Sequence, residues 1–125
     1  MIDTNVIISA ILKEGSVPDI VLNSACENYN LILCDHIVNE CYEVAKKRFP
    51  AKISTLDRLF GELRYELVPS PRKGDVIIND IKDQPILNAA IKYDVDVLVT
   101  GDKHFSEVEI DRPEILKPAE FLERY

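Results

Sequence analysis

The chain has no apolar run long enough to span a bilayer, and its start lacks the basic residues, apolar stretch and small-residue cleavage site of a secretion signal. A cytoplasmic protein without membrane association is the expectation. A disulfide framework is equally poorly supported, because the three cysteines, Cys26, Cys34 and Cys41, are odd in number and show no C-x-x-C spacing. With two of them inside apolar patterns, they read as reduced structural thiols. Neither His36 nor His104 has a second histidine four residues away, so the usual helical zinc motif is missing. Basic charge is also short: a net charge of −7 argues against a protein that grips nucleic acid through a broad basic surface. Repeats, low-complexity segments and interdomain linkers are absent. What remains is 125 residues with 46% hydrophobic content, which fits one globular domain over 1–125 with a real core.

Hydrophobic periodicity alternates along the chain. Met1-Ile2 reads as a short strand ending at Asp3, followed by a helix through Leu12 and, after Gly15-Ser16-Val17-Pro18, a second helix carrying Ile20, Val21 and Ala25. Leu31 to Cys34 is a buried strand. Ile37, Cys41, Val44 and Ala45 then recur at helical spacing, as do Ile53, Leu56, Leu59, Phe60 and Leu63 after Phe49-Pro50. Tyr65 to Val68 reads as a strand, and Pro69 to Asp75 is the most loop-like stretch, a candidate mobile rim facing a substrate. A helix with Ile86, Leu87, Ala90 and Ile91, a strand at Val97 to Val99, a charged connection, a strand at Ile115-Leu116 and a last helix from Pro118 complete the pattern. Strands alternating with helices predict an α/β fold with a parallel sheet covered on both faces.

Four acids stand at informative places in this pattern. Asp3 and Asp102 fall at the carboxyl ends of predicted strands, where open parallel sheets form their ligand crevice. Glu40 shares the apolar stripe of its helix, one turn after Ile37, and Asp83 opens the stripe begun by Ile86 and Leu87. Each has an ordinary reading alone: helix cap for Asp3 and Asp83, stripe-edge glutamate for Glu40, turn for Asp102. Together they converge on one end of the sheet, and converging buried carboxylates require pairing, protonation or a cation. Asp80 reads as a loop acid or as one that orients a water beside Asp83, and Asn5 and Thr100 as hydrogen-bond donors that hold the carboxylates or as helix or turn caps. An oxygen-rich set suits Mg²⁺ or Mn²⁺ better than zinc. Such ions polarise a phosphoryl oxygen, acidify a bound water and stabilise a departing oxygen, so the indicated chemistry is metal-assisted phosphodiester hydrolysis. The acidic net charge is compatible with that chemistry. Lys46-Lys47-Arg48 and Arg72-Lys73 remain open as local phosphate contacts or as solvated charge.

Asp3-Thr4-Asn5-Val6, Ile37-Val38-Asn39-Glu40-Cys41, Asp80-x-x-Asp83-Gln84-x-Ile86-x-x-Ala89-Ala90 and Leu98-Val99-Thr100-Gly101-Asp102-Lys103-His104-Phe105 occur in this order, and through them the chain resembles the PIN-domain family, especially the VapC-like toxins of toxin–antitoxin systems. The resemblance implies a three-layer α/β/α sandwich with a mostly parallel sheet of about five strands. It also implies a Mg²⁺- or Mn²⁺-dependent ribonuclease acting on single-stranded RNA, with Asp3, Glu40, Asp83 and Asp102 as metal-binding and catalytic acids. A homodimer and a cognate antitoxin protein are the partners it suggests. Two departures stand out. His104 occupies the place of a further acid in many relatives, and only Met1-Ile2 precede Asp3, which predicts a weak first strand. Rival readings are a catalytically silent binding module of the same fold and a phosphoacceptor receiver domain. The receiver needs an acidic pair after its first strand, whereas Thr4 follows Asp3.

Overall fold

Asp3 turns the chain out of its first extended residues into a helix, and the same strand-to-helix change recurs along the computed structural model, which describes residues 1–125 except Lys73, Asp75, Asn79 and Asp80. The elements are α1 (Thr4–Leu12), α2 (Val17–Asn28), β1 (Ile32–Cys34), α3 (Asp35–Arg48), α4 (Ile53–Glu62), β2 (Glu66–Val68), α5 (Gln84–Lys92), β3 (Val97–Val99), α6 (Lys103–Ser106), β4 (Glu114–Leu116) and α7 (Pro118–Arg124). A short 3₁₀ turn, Pro50–Lys52, joins α3 to α4.

The strands are parallel, as α/β alternation requires, but they are brief. β1 pairs with β2 in the register Ile32 to Glu66, and β3 pairs with β4 in the register Val97 to Glu114. The N-terminal residues run beside β3 through one bridge, Ile2 to Val99. Three hydrogen bonds of 2.9 Å hold them there: the Met1 amino group donates to the Val97 carbonyl, Val99 N–H to the Met1 carbonyl, and Asp3 N–H to the Val99 carbonyl. The expected sheet of about five strands is therefore corrected. Among the described residues there are two separate parallel pairs and one bridge, because Asp3 already caps α1 and the backbone leaves the strand direction straight after Ile2.

Burial follows most of the sequence pattern, but Ile20 and Ile91, expected on the apolar stripes of α2 and α5, are 47% and 38% exposed. In α1, Thr4, Val6, Ile7, Ile8 and Ala10 are all buried, as befits a helix apolar around most of its circumference. Ile37, Cys41 and Ala45, spaced by four, form the fully buried stripe of α3, and Ile86, Leu87, Ala89 and Ala90 do the same for α5. Each large side chain so buried contributes about 1.5–3 kcal/mol relative to exposure. Phe105 is fully buried and anchors α6, a helical turn where the charged composition had suggested only a connection. The three thiols are free, with Cys34 and Cys41 buried. No helix among the described residues is long and apolar enough to cross a membrane.

The stretch between β2 and α5 is tied down by amides of α5. Gln84 Nε2 donates to the Val76 carbonyl at 2.8 Å, Ile78 N–H donates to Gln84 Oε1 at 3.1 Å, and Asn88 Nδ2 donates to the Pro71 carbonyl at 3.4 Å. Gly74 comes so close that a Cβ there would lie 2.1 Å from Asn88 Oδ1. The expected mobile rim is, in its described residues, a strap held on α5. Lys73, Asp75 and Asp80 of the expectations lie outside the described residues.

Candidate active site

Each strand segment passes at its carboxyl end into a residue of interest: Asp3 after Ile2, Asp35 after β1, Ser70 after β2 and Thr100 after β3. Asp3 is the hub. Only 1% exposed, it caps α1 by accepting the Thr4 N–H at 2.7 Å through Oδ1, while Oδ2 accepts the Thr100 hydroxyl at 2.8 Å. The Thr100 hydroxyl in turn accepts the Asp102 N–H at 3.0 Å, so one side chain links two of the four acids.

Electrostatics show the convergence as well. Burial foremost, with the charges of Glu40 and Asp102 adding to it, raises the Asp3 pKa to about 6 against the pull of the Thr100 and Thr4 hydrogen bonds. Burial, together with the charges of Glu40 and Asp3, also raises the Cys41 thiol. Asp3, Glu40 and Asp102 therefore lie within electrostatic reach of one another. Asp83 joins them through Asp102: burial alone would raise Asp102, but the Asp83 carboxyl and the His104 backbone and ring hold it below the usual carboxylate range. Asp83 itself is 7% exposed at the N-cap position of α5, with no side-chain capping bond to that helix. The helix-cap reading and the clustering reading thus hold together for Asp3; Asp102, read as a turn, caps α6 by accepting the His104 N–H, whereas at Asp83, the other expected cap, the bond is missing.

Glu40 is oriented by a partner that the sequence reading passed over. His36, one turn earlier on α3, places Nε2 3.7 Å from Glu40 Oε2 and 2.9 Å from the Lys82 carbonyl oxygen. Burial would push Glu40 up, yet the His36 side chain holds it below its ordinary value, and the Glu40 carboxylate raises His36 in return. The signal was present as an i,i+4 His–Glu pair, a spacing that brings side chains together on a helix. At the start of α3, Asp35 Oδ1 accepts the Ser70 hydroxyl at 2.6 Å, the Ser70 N–H at 2.9 Å and its neighbour's His36 N–H at 2.7 Å. Those bonds, the Ser70 hydroxyl foremost, hold Asp35 below the usual range and fasten the first turn of α3 to the end of β2. Asn5, expected to support the acids, is exposed on α1 and makes no side-chain hydrogen bond to them among the described residues.

A family profile described as PIN domain matches residues 1–104. The chain belongs to the PIN domain family. No curated protein matches it. The matched span of this PIN domain contains all four acids, Asp3, Glu40, Asp83 and Asp102, and ends at His104. PIN domains are typically metal-dependent nucleases, so the group to test against these residues is a divalent cation. Its donor chemistry fits, since carboxylate oxygens suit hard cations and partly buried acids at close quarters need positive charge. The buried Thr4 hydroxyl points the same way. It lies close enough to Glu40 to lower that carboxyl, yet makes no hydrogen bond of ordinary geometry among the described residues, leaving it capacity for a water or ligand in the site. One ligand atom each from Asp83, Asp102 and His104 also lies within 4.8 Å of the others.

Proposed function

We propose that this PIN domain is a metal-dependent endoribonuclease that hydrolyses phosphodiester bonds of single-stranded RNA, with 1–125 acting as one three-layer α/β/α nuclease domain. Asp3, Glu40, Asp83 and Asp102 are the metal-binding and catalytic acids, and Thr100 positions two of them. The observation that carries the reading is Asp3: a nearly inaccessible carboxyl, raised by its burial and by two neighbouring acids, forming no ion pair with Lys or Arg among the described residues.

When bound, Mg²⁺ or Mn²⁺ supplies positive charge for a phosphoryl oxygen and acidifies water. The chain's own residues set the stage. Asp3 is held by one hydrogen bond to each carboxyl oxygen, and Glu40 is held by His36 in its ionised form. Preorganised acids of this kind need no rearrangement at the moment of reaction.

Cleavage of a labelled single-stranded RNA with Mg²⁺ or Mn²⁺, lost by at least about a hundredfold in Asp3→Asn and Asp83→Asn with the fold retained, is the expected result. Full activity in both variants would overturn the assignment. Either cation should also raise Tm of the wild-type chain, by about 2.7 kcal/mol of added stability at a hundred times Kd, and no response would favour a silent module.

Within this reading the chain is a VapC-like toxin, cytoplasmic, homodimeric and neutralised by a cognate antitoxin protein. Slowed growth on expression, relieved by Glu40→Gln, is the expected phenotype. Normal growth with the wild-type chain would reject the toxin role and keep the nuclease.

A further inference from the structure

His104, which helps keep Asp102 ionised, stands directly against the acids. Its ring Nδ1 lies 3.0 Å from Asp102 Oδ1, and its backbone N–H donates to the same oxygen at 2.8 Å. The backbone bond already orients Asp102, which leaves the ring a redundant holder of that carboxylate. The ring is about one-third exposed, while its Nδ1 atom is buried against the acids. Asp83, Asp102 and His104 each bring one ligand atom within 4.8 Å of the other two. Ligands around a small divalent cation at about 2.1 Å sit roughly 3–4 Å apart, a spacing close to the one this trio already has.

We propose that His104 supplies a nitrogen ligand, beside Asp83 and Asp102, to a divalent cation, and that this tilts the site's preference away from Mg²⁺ toward Mn²⁺ and Zn²⁺. The inference rests on the metal-dependent reading above and adds which ion the site prefers. Mg²⁺ favours oxygen donors and gives up its waters reluctantly, whereas imidazole is a good ligand for transition metals and zinc. An all-carboxylate site would be nearly indifferent between Mg²⁺ and Mn²⁺ in donor type. Replacing one oxygen by an imidazole nitrogen penalises Mg²⁺ selectively.

Calorimetry with MgCl₂ and MnCl₂ on the wild-type chain, His104→Ala and His104→Asp reads the preference directly. The Mn²⁺-to-Mg²⁺ affinity ratio is expected to fall by roughly tenfold or more in both variants, and His104→Asp is expected to bind Mg²⁺ more tightly than the wild type. A second measurement needs no folded variant at position 104. In ¹⁵N spectra of the wild type, with the two imidazoles assigned through His36→Gln, Zn²⁺ is expected to shift one His104 ring nitrogen strongly while Mg²⁺ does not. An unchanged ratio, or His104 nitrogens that stay in place while Zn²⁺ binds, overturns the role of His104 and leaves the nuclease reading standing. Absence of any divalent binding by the folded wild type overturns both. Strong metal binding through His104 without RNA cleavage keeps this inference and removes the nuclease.

Discussion

Acids gather at both ends of β3, under opposite conditions. At its amino end, Asp94 and Asp96 are 80% and 85% exposed and both meet Arg112, which enters from the residues before β4. At its carboxyl end, Asp3 is 1% exposed, and Asp102 is held by Thr100, Asp83 and His104 rather than by arginine. Water and a mobile guanidinium screen the first group, and an ion pair of that kind is worth at most about 1 kcal/mol. Asp3 in the second group has neither, and its carboxyl is pushed up to about 6. Proximity of like charges is common to both ends. Desolvation is what makes one of them a candidate for chemistry.

The largest difference should appear in catalysis. Asp3→Asn is expected to remove metal-dependent RNA cleavage by at least about a hundredfold, while Asp96→Asn should leave it within about twofold in the same assay. Equal losses at the two ends would break the contrast.

Next comes pH. The folded Asp3 pKa lies above its ordinary value of 3.8, so in this window the folded state binds more protons than the unfolded one, and stability must fall as pH rises from about 4 to about 6. The contribution is roughly 3 kcal/mol at most, at about 1.4 kcal/mol per pH unit. Without added metal, Asp3→Asn should therefore melt several degrees above the wild type at pH 7.5 and lose that advantage near pH 4, which Tm measured across the range will show. Glu40 and Asp102, held below the carboxylate range, act with opposite sign and lose their contributions only at lower pH.

A smaller effect is expected from Thr100→Val, which keeps shape but deletes the hydroxyl that donates to Asp3 and accepts from Asp102. Denaturant unfolding should register a loss of roughly 1–3 kcal/mol. The smallest belongs to the exposed end: Arg112→Ala should cost no more than about 1 kcal/mol and fade further in high salt. A larger cost would mean that this end is less screened than its exposure indicates.

Much of the fold was legible because its signals are local. The helical stripe Ile37, Cys41, Ala45 and the run Val97 to Val99 announce their elements, and Pro85 and Pro118 fall in first turns where proline is tolerated. Strand order in the sheet was less legible, since three-residue pairings carry little periodicity and depend on which segments meet in space. The four candidate acids were chosen from strand ends and helix stripes. Thr100 was found by its neighbourhood to Asp102, whereas its bond to Asp3 spans 97 positions and has no local trace. His36 was missed because a search for paired histidines overlooks a His–Glu pair. The hold of Gln84 and Asn88 on the strap was hidden by the loop-like composition of Pro69 to Gly74, because composition reports what a segment prefers alone and not what docks upon it.

By itself the sequence determined the alternation of helices and strands, the cap at Asp3, and the membership of residues 1–104 in the PIN domain family, because periodicity, capping and motif order are properties of neighbouring residues. Only the tertiary structure decided that Asp3 is starved of water between Glu40 and Asp102, that Thr100 ties two acids together, and that His104 turns toward Asp83 and Asp102. The reason is that desolvation and charge coupling depend on distance through space, which a chain acquires only when segments far apart in sequence are packed against each other.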